Sequence, residues 1–576
     1  MLLASHVVFA ATYTAAASGA WNNAATWGGT APAYNIGSLD QVYIPSGITV
    51  TLDNTVIVDG LLTVLNVEGG LTSAGQNGNL IINSGTFSGG GTVSLTGVIF
   101  NGGTVSFDGT VSCTTLTSST TNLQLAAEIT VHEMMTLSSG TFHVVSGGMF
   151  LLDENGVIVI NSGTMVLNGG NMGLTNSYDV KYSQGSSASG FELDGSGLRS
   201  VTVDVGNGNT VTMNSDIDMQ GTLTLTTGTL ILNGNDLTIN GGISSSGTGR
   251  IQSTQQSDIS IVTTGSNGTL SFTNTGNAVA NFRIDVGQDN WLVLGSDVNV
   301  HGTLHFVSGG INADGHRVEI KSGGAITGAG EHSYIVTGSE GALGMQVAAS
   351  GSTFVNFPVG TSSQYMPAGV QMGGGSSSAV MWIGAAGGIM SQGTSGTDWS
   401  ADSAVVNGTW FVEPDASASN VNANIRFGWK SDLEVNGFDR GSALVKHYRS
   451  GAWQMVGGAS AATEADGMYM LQADNVTSFS PFAIFEAGPA SIHEAGNTLA
   501  LDIFPNPAAE RINVRFGADV TGVVNMDIVD AAGRVMNNYK LTGNDQGVDI
   551  SHLPPGKYFV RFFTQELHAV KKVVKL

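Results

Sequence analysis

Between about Trp21 and Gly330 the chain is written in short runs that alternate apolar residues with Thr, Ser or Asn. Each run is cut off by Gly, Asn-Gly or Asp-Gly. Thr49-Val50-Thr51-Leu52, Gly221-Thr222-Leu223-Thr224-Leu225 and Leu237-Thr238-Ile239 are typical. A period of two puts every second side chain on one face of an extended strand. No sustained i, i+3, i+4 apolar stripe accompanies it, so the runs cannot bury their faces against amphipathic helices. Such a chain must find its core among its own short strands.

The text also repeats. Residues 201–242 align without a gap onto 282–323, an offset of 81. Asp204 matches Asp285, Gly206 matches Gly287, Ser215-Asp216 matches Ser296-Asp297, and Gly228 matches Gly309. Apolar positions pair with apolar ones, as in Met213/Leu294, Ile217/Val298 and Leu225/Phe306. Repeats of short strands imply a stacked architecture in which each unit buries its apolar face only against its neighbours. The expected fold class is all-β: a right-handed parallel β-solenoid over residues 60–340, then a β-sandwich and a small Ig-like C-terminal β-sandwich. Each solenoid coil should take roughly 20–25 residues, with about 4.8 Å between strands. Val, Ile, Leu, Met and Phe should point inward and Thr, Ser and Asn outward. Asp204 and Asp285 should share a face by repeat equivalence. The open ends of the stack must be covered to prevent edge-to-edge growth.

Composition narrows the partners. Only 11% of the 576 residues are charged, against about 25% in an ordinary globular protein. The formal net charge is −24, and no Lys or Arg precedes Lys181. Phosphate binding needs clustered Lys and Arg, so nucleic acid is not an expected partner. The last 78 residues hold nine of the 20 basic residues and eight acidic ones, whereas the first 498 hold 36 acidic and 11 basic. This break marks a domain boundary, with 488–498 as linker and 499–576 as a separate domain. Cys113 is the single cysteine, which excludes a disulfide framework and a Cys-based zinc site. No apolar run reaches the roughly 18 residues of a membrane-spanning helix. Runs near five residues also fall short of the about 9–11 that a membrane β-barrel strand needs. No metal or cofactor is expected.

Leu2 to Ala11 is an apolar stretch closed by small residues, of the size of a signal-peptide core, although no basic residue precedes it. Residues 1–11 are read as a signal peptide cut short by a late start; an ordinary first strand is the alternative. In residues 12–59, Trp21 and Trp27 flank a small-residue loop. Pro32, Asp40, Ile44-Pro45 and Gly47 to Asp53 follow. This pattern resembles the N-terminal element of many secreted Bacteroidetes β-helix proteins. Trp21 and Trp27 are then either a glycan-stacking platform or, as the better reading, anchors that close the solenoid.

Residues 341–487 are richer in aromatics. Phe357-Pro358-Val359-Gly360, Trp410 to Pro414, Val421 to Trp429, Trp453 to Val456 and Thr477 to Ile484 suggest strands of six to nine residues at even spacing, hence a β-sandwich. Asp432, Glu434 and Asn436-Gly437 have the spacing of a Ca²⁺ loop. The twelfth position is Ala443 rather than an acid, so a tight hairpin turn is the better reading.

The last segment carries Ile503-Phe504-Pro505-Asn506-Pro507, Met526 to Val535 with Asp530, Gly533 and Arg534, Leu553-Pro554-Pro555-Gly556-Lys557-Tyr558, and Lys571-Lys572-Val573-Val574-Lys575, in that order. It resembles the type A C-terminal sorting domain of the type IX (Por) secretion system. The resemblance implies an Ig-like sandwich that directs cargo across the outer membrane. It implies a translocon and a sortase-like protease as partners, and release or coupling to surface lipopolysaccharide. The sorting-signal residues would be Pro505, Asn506, Pro507, Asp530, Gly533, Arg534, Leu553, Pro554, Gly556, Tyr558, Lys571, Lys572 and Lys575. The terminal lysines are the expected translocon contact, with simple solvation as the alternative.

Parallel β-helices also house polysaccharide lyases and hydrolases, which need convergent carboxylates or Ca²⁺-binding acids beside a base. Asp216 and Asp218 share a strand face, but repeat-equivalent acids more often hold turns than a unique catalytic centre. His301 and His305 are four residues apart on one strand, too far to share a zinc ion at about 3.3 Å per residue. No catalytic residues are expected. The reading is a secreted or surface-displayed structural, adhesin-like protein whose hydroxyl- and amide-rich exterior makes weak multivalent contact with surface glycans or cells. A polysaccharide-degrading enzyme is the alternative.

Overall fold

The alternating runs become strands that stack on one another instead of folding into hairpins. The structure, a computed structural model, describes residues 11–37, 39–245, 247–263, 268–349, 351–479, 481–487, 501–517, 523–530, 534–564 and 568–576. The expected signal peptide (save Ala11), the expected linker 488–498 and Gly533 lie outside the described residues. Among those described, the helical segments are five short 3-10 turns. The chain divides into two compact units, Met1–Glu486 and Ala487–Leu576.

In the first unit, pairing is parallel from Thr12–Thr14 against Gln41–Ile44 to Ile335–Val336 against Val359–Gly360. It is a β-solenoid of about 14 turns. A typical turn holds three strands, Leu223–Thr227, Thr229–Ile231 and Leu237–Ile239; the next holds Ile243–Ser244, Arg250–Ser253 and Ile259–Val262. Register is kept from turn to turn, with Leu223 beside Ile243, Leu230 beside Ile251 and Ile239 beside Ile261. Hydrogen bonds between stacked side chains span 18 residues at Asn101–Asn83 and 23 at Thr227–Asp204. Beyond the first two strands, register offsets between successive coils run from 18 residues at Thr92 and Thr110 to 25 at Arg317 and Ala342, so most coils have the expected length. Parity does the sorting: Leu223, Leu225, Leu230, Ile251 and Ile261 are fully buried, while Thr224, Thr238 and Ser260 between such positions are half-exposed. Each buried aliphatic contributes roughly 1.5–3 kcal/mol.

Corners use side chains where the backbone ladder breaks. Asp216 Oδ1 accepts the Asp236 N–H at 2.8 Å, and Asp236 Oδ1 accepts the Asp258 N–H at 2.8 Å. Asp258 Oδ1 accepts the Asn281 N–H, and Asn281 Oδ1 the Thr303 N–H, both at 2.9 Å. One residue per turn therefore satisfies an amide that would otherwise lack a partner.

The repeat is displaced around the solenoid. Leu198–Asp204 lies in the sheet that holds Leu223–Thr227, whereas its copy Phe282–Asp285 lies in the sheet that holds Leu237–Ile239 and Ile259–Val262. The copy comes eleven strands later. At three strands per turn that is not a whole number of turns, so Asp204 and Asp285 do not share a face, contrary to the expectation. Their local structures nevertheless match. Thr227 Oγ1 donates to Asp204 at 2.8 Å and Ser308 Oγ to Asp285 at 2.7 Å. Gly206 and Gly287 both sit at φ +85°, a left-handed conformation that glycine adopts without strain.

At its far end the ladder is handed on. Ala342–Val347 pairs in parallel with Arg317–Ile320 on one side and antiparallel with Ala379–Gly387 on the other. From there the sheet continues through Val405–Pro414, Pro481–Glu486 and Ala443–Arg449, all antiparallel. A second antiparallel sheet is built on Ala368–Met372, Ala423–Trp429 and Met468–Val476. The two sheets touch through Phe427, whose ring lies 5.3 Å from Trp410 and 5.4 Å from Phe482. One apolar core runs from Ala15 to Ile484.

One carboxyl breaks the apolar interior. Glu192, in the 3-10 turn Phe191–Leu193, is fully buried. Tyr182 Oη donates to its Oε1 at 2.6 Å and the Gly190 N–H at 2.9 Å, while Oε2 has no partner. Burial pushes its pKa from 4.5 up to about 7, opposed by these two bonds and helped slightly by Asp194. A raised acid pKa means the fold prefers the neutral form. Glu192's contribution to stability is therefore fully present below about pH 4.5 and is lost as pH rises through about 7. Glu192→Gln, which mimics the neutral acid, is expected to match wild type at pH 4.5 and to exceed it at pH 8 by on the order of 3 kcal/mol. Thermal unfolding of both proteins at the two pH values checks this.

Candidate functional site

The second unit is small and has its own core. Leu501–Phe504, Arg511–Phe516 and Asp545–Asp549 form one antiparallel sheet. Val535–Leu541, Val524–Asp530, Gly556–Phe563 and His568–Lys575 form the other. Ile512, Val514, Met526, Ile528, Val560 and Phe562 fill the space between them. The unit gathers the sequence-selected residues into three groups.

The first group holds the final strand. Between Pro505 and Pro507, the Asn506 side chain donates to the Lys572 carbonyl at 2.7 Å and accepts the Val574 N–H at 2.8 Å. The Ala508 N–H bonds the Val574 carbonyl, and the Leu576 N–H returns to the Ala508 carbonyl, both at 2.9 Å. The prolines deny this corner their own donors; Asn506 supplies the missing pairing. An edge that would otherwise be open is closed by one side chain and one short bridge.

The second group shapes turns. The Asp530 carboxylate accepts the Arg534 N–H at 2.9 Å and pairs with its guanidinium at 2.7 Å, pinning both ends of a hairpin. Leu553 is buried, and Tyr558, also buried, donates its hydroxyl to the Pro554 carbonyl at 2.9 Å. Gly556 pairs with Lys575, and a Cβ there would make only ordinary contacts, the nearest at 3.8 Å to the Tyr558 ring.

The third group faces solvent. Lys571 and Lys572 are exposed, whereas Lys575 is half-buried. Beside them is a feature the sequence reading passed over. Along Gly556–Phe563, buried Tyr558, Val560 and Phe562 alternate with exposed Lys557, Phe559, Arg561 and Phe563. Phe559 and Phe563 are 40% and 38% exposed, and Phe559 lies directly beside Lys572 in the sheet. Arg561 is tied to Asp527 at 2.9 Å. The signal was available: two Phe fall on the polar parity of the strand, where alternation calls for Thr or Lys.

In the body, Trp21 and Trp27 meet edge to face at 5.2 Å, and Trp27 Nε1 donates to the Trp21 carbonyl at 2.7 Å. Both rings are buried, so neither offers a face to a sugar. Asp216 binds a corner amide, as described above, and Asp218 accepts from Asn240 at 2.6 Å. His305 bonds Thr327 at 2.8 Å. Glu434 is held bidentately by Arg440 at 2.7 Å and accepts from Trp429 at 2.8 Å. Asn436 and Gly437 both have positive φ, a tight turn. Among the described residues, no group of three or more His, Cys, Asp or Glu is placed to hold a metal ion, and no helix is long and apolar enough to cross a membrane.

Residues 502–576 match the family model described as Secretion system C-terminal sorting domain (Por_Secre_tail). No curated protein and no solved structure matches the chain. The matched domain implies interaction with the type IX secretion machinery and export to the cell surface or outside the cell.

Asn506→Ala removes two bonds that hold the last strand. In the full chain, amide exchange at Val574 is expected to speed up about fivefold, equivalent to ~1 kcal/mol. Exchange in the solenoid should not change. Mass-spectrometric hydrogen exchange resolves the two regions.

Proposed function

We propose that the chain, carried out of the cell by its type IX sorting domain, is a structural, adhesin-like protein of the cell surface or surrounding medium. The observation that carries this is the pairing of a C-terminal export domain with a long solenoid whose outward positions are Thr, Ser, Asn and Asp. Stacked turns present the same hydroxyls and amides many times over, which suits weak multivalent contact with glycans or neighbouring cells. In this reading residues 1–11 are a signal peptide, 12–59 a cap closed by Trp21 and Trp27, and 60–340 a right-handed solenoid, the hand favoured by parallel crossovers. Residues 341–487 are a β-sandwich. Residues 499–576 are an Ig-like sandwich that a sortase-like protease removes, leaving the body released or coupled to lipopolysaccharide.

In this reading the translocon contact lies on the sheet face that Phe559 shares with Lys572. Exposed aromatics are enriched at interface centres, with charged groups such as Lys572 at the polar rim. A structural role is preferred to catalysis because the acids of the body are occupied: Asp204 by Thr227, Asp285 by Ser308, and Asp216 and Asp236 by corner amides. The competing reading is a β-helix polysaccharide lyase or hydrolase.

Deleting residues 499–576 is expected to abolish the surface and medium pools in a type IX-competent host and to leave the body in the periplasm. Immunoblots of the fractions check this; equal export without the domain would refute it. Retention on polysaccharides without reducing-sugar release is the expected biochemical result. Turnover would favour the enzyme.

A further inference from the structure

Where the last solenoid turns meet the antiparallel sheets, a cleft of about 270 Å³ opens between the Trp291 strand, the Glu331–Tyr334 segment and the loop that ends at Tyr365. Its floor is aromatic. The Tyr334 ring lies 4.8 Å from Trp291 and 5.1 Å from Tyr365. Tyr334 is buried and its hydroxyl donates to the Thr361 carbonyl at 2.7 Å, which fixes the ring. Trp291 and Tyr365 stay partly exposed on either side of it. The rim is polar: His332 pairs with Asp289 at 3.1 Å, and Lys430 pairs with Glu331.

The repeat provides an internal control for what the fold itself requires. Position 291 corresponds to Thr210, 289 to Gly208 and 310 to Thr229. In the first copy Thr210 faces Thr229 across adjacent strands; in the second, Trp291 faces Gly310. Gly310 is required by the backbone of the next coil as well as by the indole: a Cβ there would lie 2.2 Å from the Tyr334 carbonyl oxygen and 2.4 Å from the Trp291 ring. Gly208 takes φ +83° freely, while Asp289 adopts φ +59° at some cost. The same turn folds with Gly at 208 and Thr at 210, so the coil does not itself require Asp289 or Trp291. Both changes fall in the copy that borders the cleft. Gly360 is close-packed in the way Gly310 is: a Cβ there would lie 2.2 Å from the Gln364 carbonyl oxygen and 2.7 Å from the Tyr334 ring.

We infer that this cleft binds a neutral saccharide, with Trp291 and Tyr365 stacked against the sugar ring. Flat amphipathic rings match the C–H faces of a pyranose, and few but convergent polar groups fix its orientation. Asp289 and Glu331 accept hydroxyls, and His332 and Lys430 donate to them. The cleft's acids outnumber its one lysine within a strongly acidic body, which disfavours uronate or other anionic sugars. The volume suits a single ring, such as a chain end or side branch. This inference rests on the surface-contact reading above and gives it a defined site.

The test uses the full chain, with calorimetry and tryptophan fluorescence against neutral gluco-, galacto-, manno- and xylo-oligosaccharides, and oligogalacturonate as the anionic probe. At least one neutral series is expected to bind and oligogalacturonate is not. Trp291→Ala should weaken binding about tenfold or more. The double variant Asp289→Gly, Trp291→Thr installs residues with which the other copy already folds, and should lose affinity equally while keeping its β circular dichroism. Unchanged affinity in a folded double variant would overturn the cleft and leave the surface reading standing. Absence of any saccharide binding by wild type would overturn both. Preference for oligogalacturonate would overturn the assignment to neutral sugars.

Discussion

The body depends on a backbone ladder shared by successive coils. Each strand's N–H and C=O groups are satisfied by the coil above and the coil below, so a coil cannot shift by one residue without turning its apolar side chains outward. Leu223 beside Ile243 and Leu230 beside Ile251 are the repeated outcome. Where the ladder breaks at corners, Asp216, Asp236, Asp258 and Asn281 take over, one per turn. The same constraint makes the ends costly. At the start, the Trp21 N–H joins the ladder through the Thr51 carbonyl at 2.9 Å while its ring is buried against Trp27. At the far end, Ala342–Val347 turns a parallel edge into an antiparallel one.

Much of this was legible from the chain. Parity alone identified the inward residues, because in a stacked fold burial is decided strand by strand. The Trp pair was readable either as anchors or as a sugar platform, and the structure buries both rings. The 81-residue offset was readable, but its meaning was not. Without knowing that a turn holds three strands, nothing shows that Asp285 has moved to another face. Glu192 was invisible because its burial depends on a local 3-10 turn and on Tyr182, ten residues earlier in the chain. The aromatic cleft was half-visible. The replacement of Thr210 by Trp291 stands in the self-alignment, but only the structure shows Trp291 lying beside Gly310 and against Tyr334.

The two units divide the work. The first is acidic, and its outward carboxylates are largely engaged in holding turns. The second carries nearly half of the basic residues, and sets exposed Phe559 and Phe563 among them. In it, Asn506 explains a motif that reads in sequence only as a proline-rich corner: the prolines withhold donors and the amide between them closes the last edge. Conserving backbone pairing with one side chain is the same solution the solenoid uses at its corners.

The stacking itself is tested most directly by engineered disulfides. Thr224 and Ser244 are neighbours on successive coils, whereas Thr202 lies one coil further away, beside Thr224. Native Cys113 is buried, with its thiol pushed up to about 12 by desolvation, and will not compete. The account requires that Thr224→Cys with Ser244→Cys form an intramolecular disulfide under mild oxidation. Thr202→Cys with Ser244→Cys should not, since two coil spacings, about 9.6 Å, exceed the roughly 7 Å a disulfide can bridge. A bond in the second pair and none in the first would contradict coil-on-coil stacking.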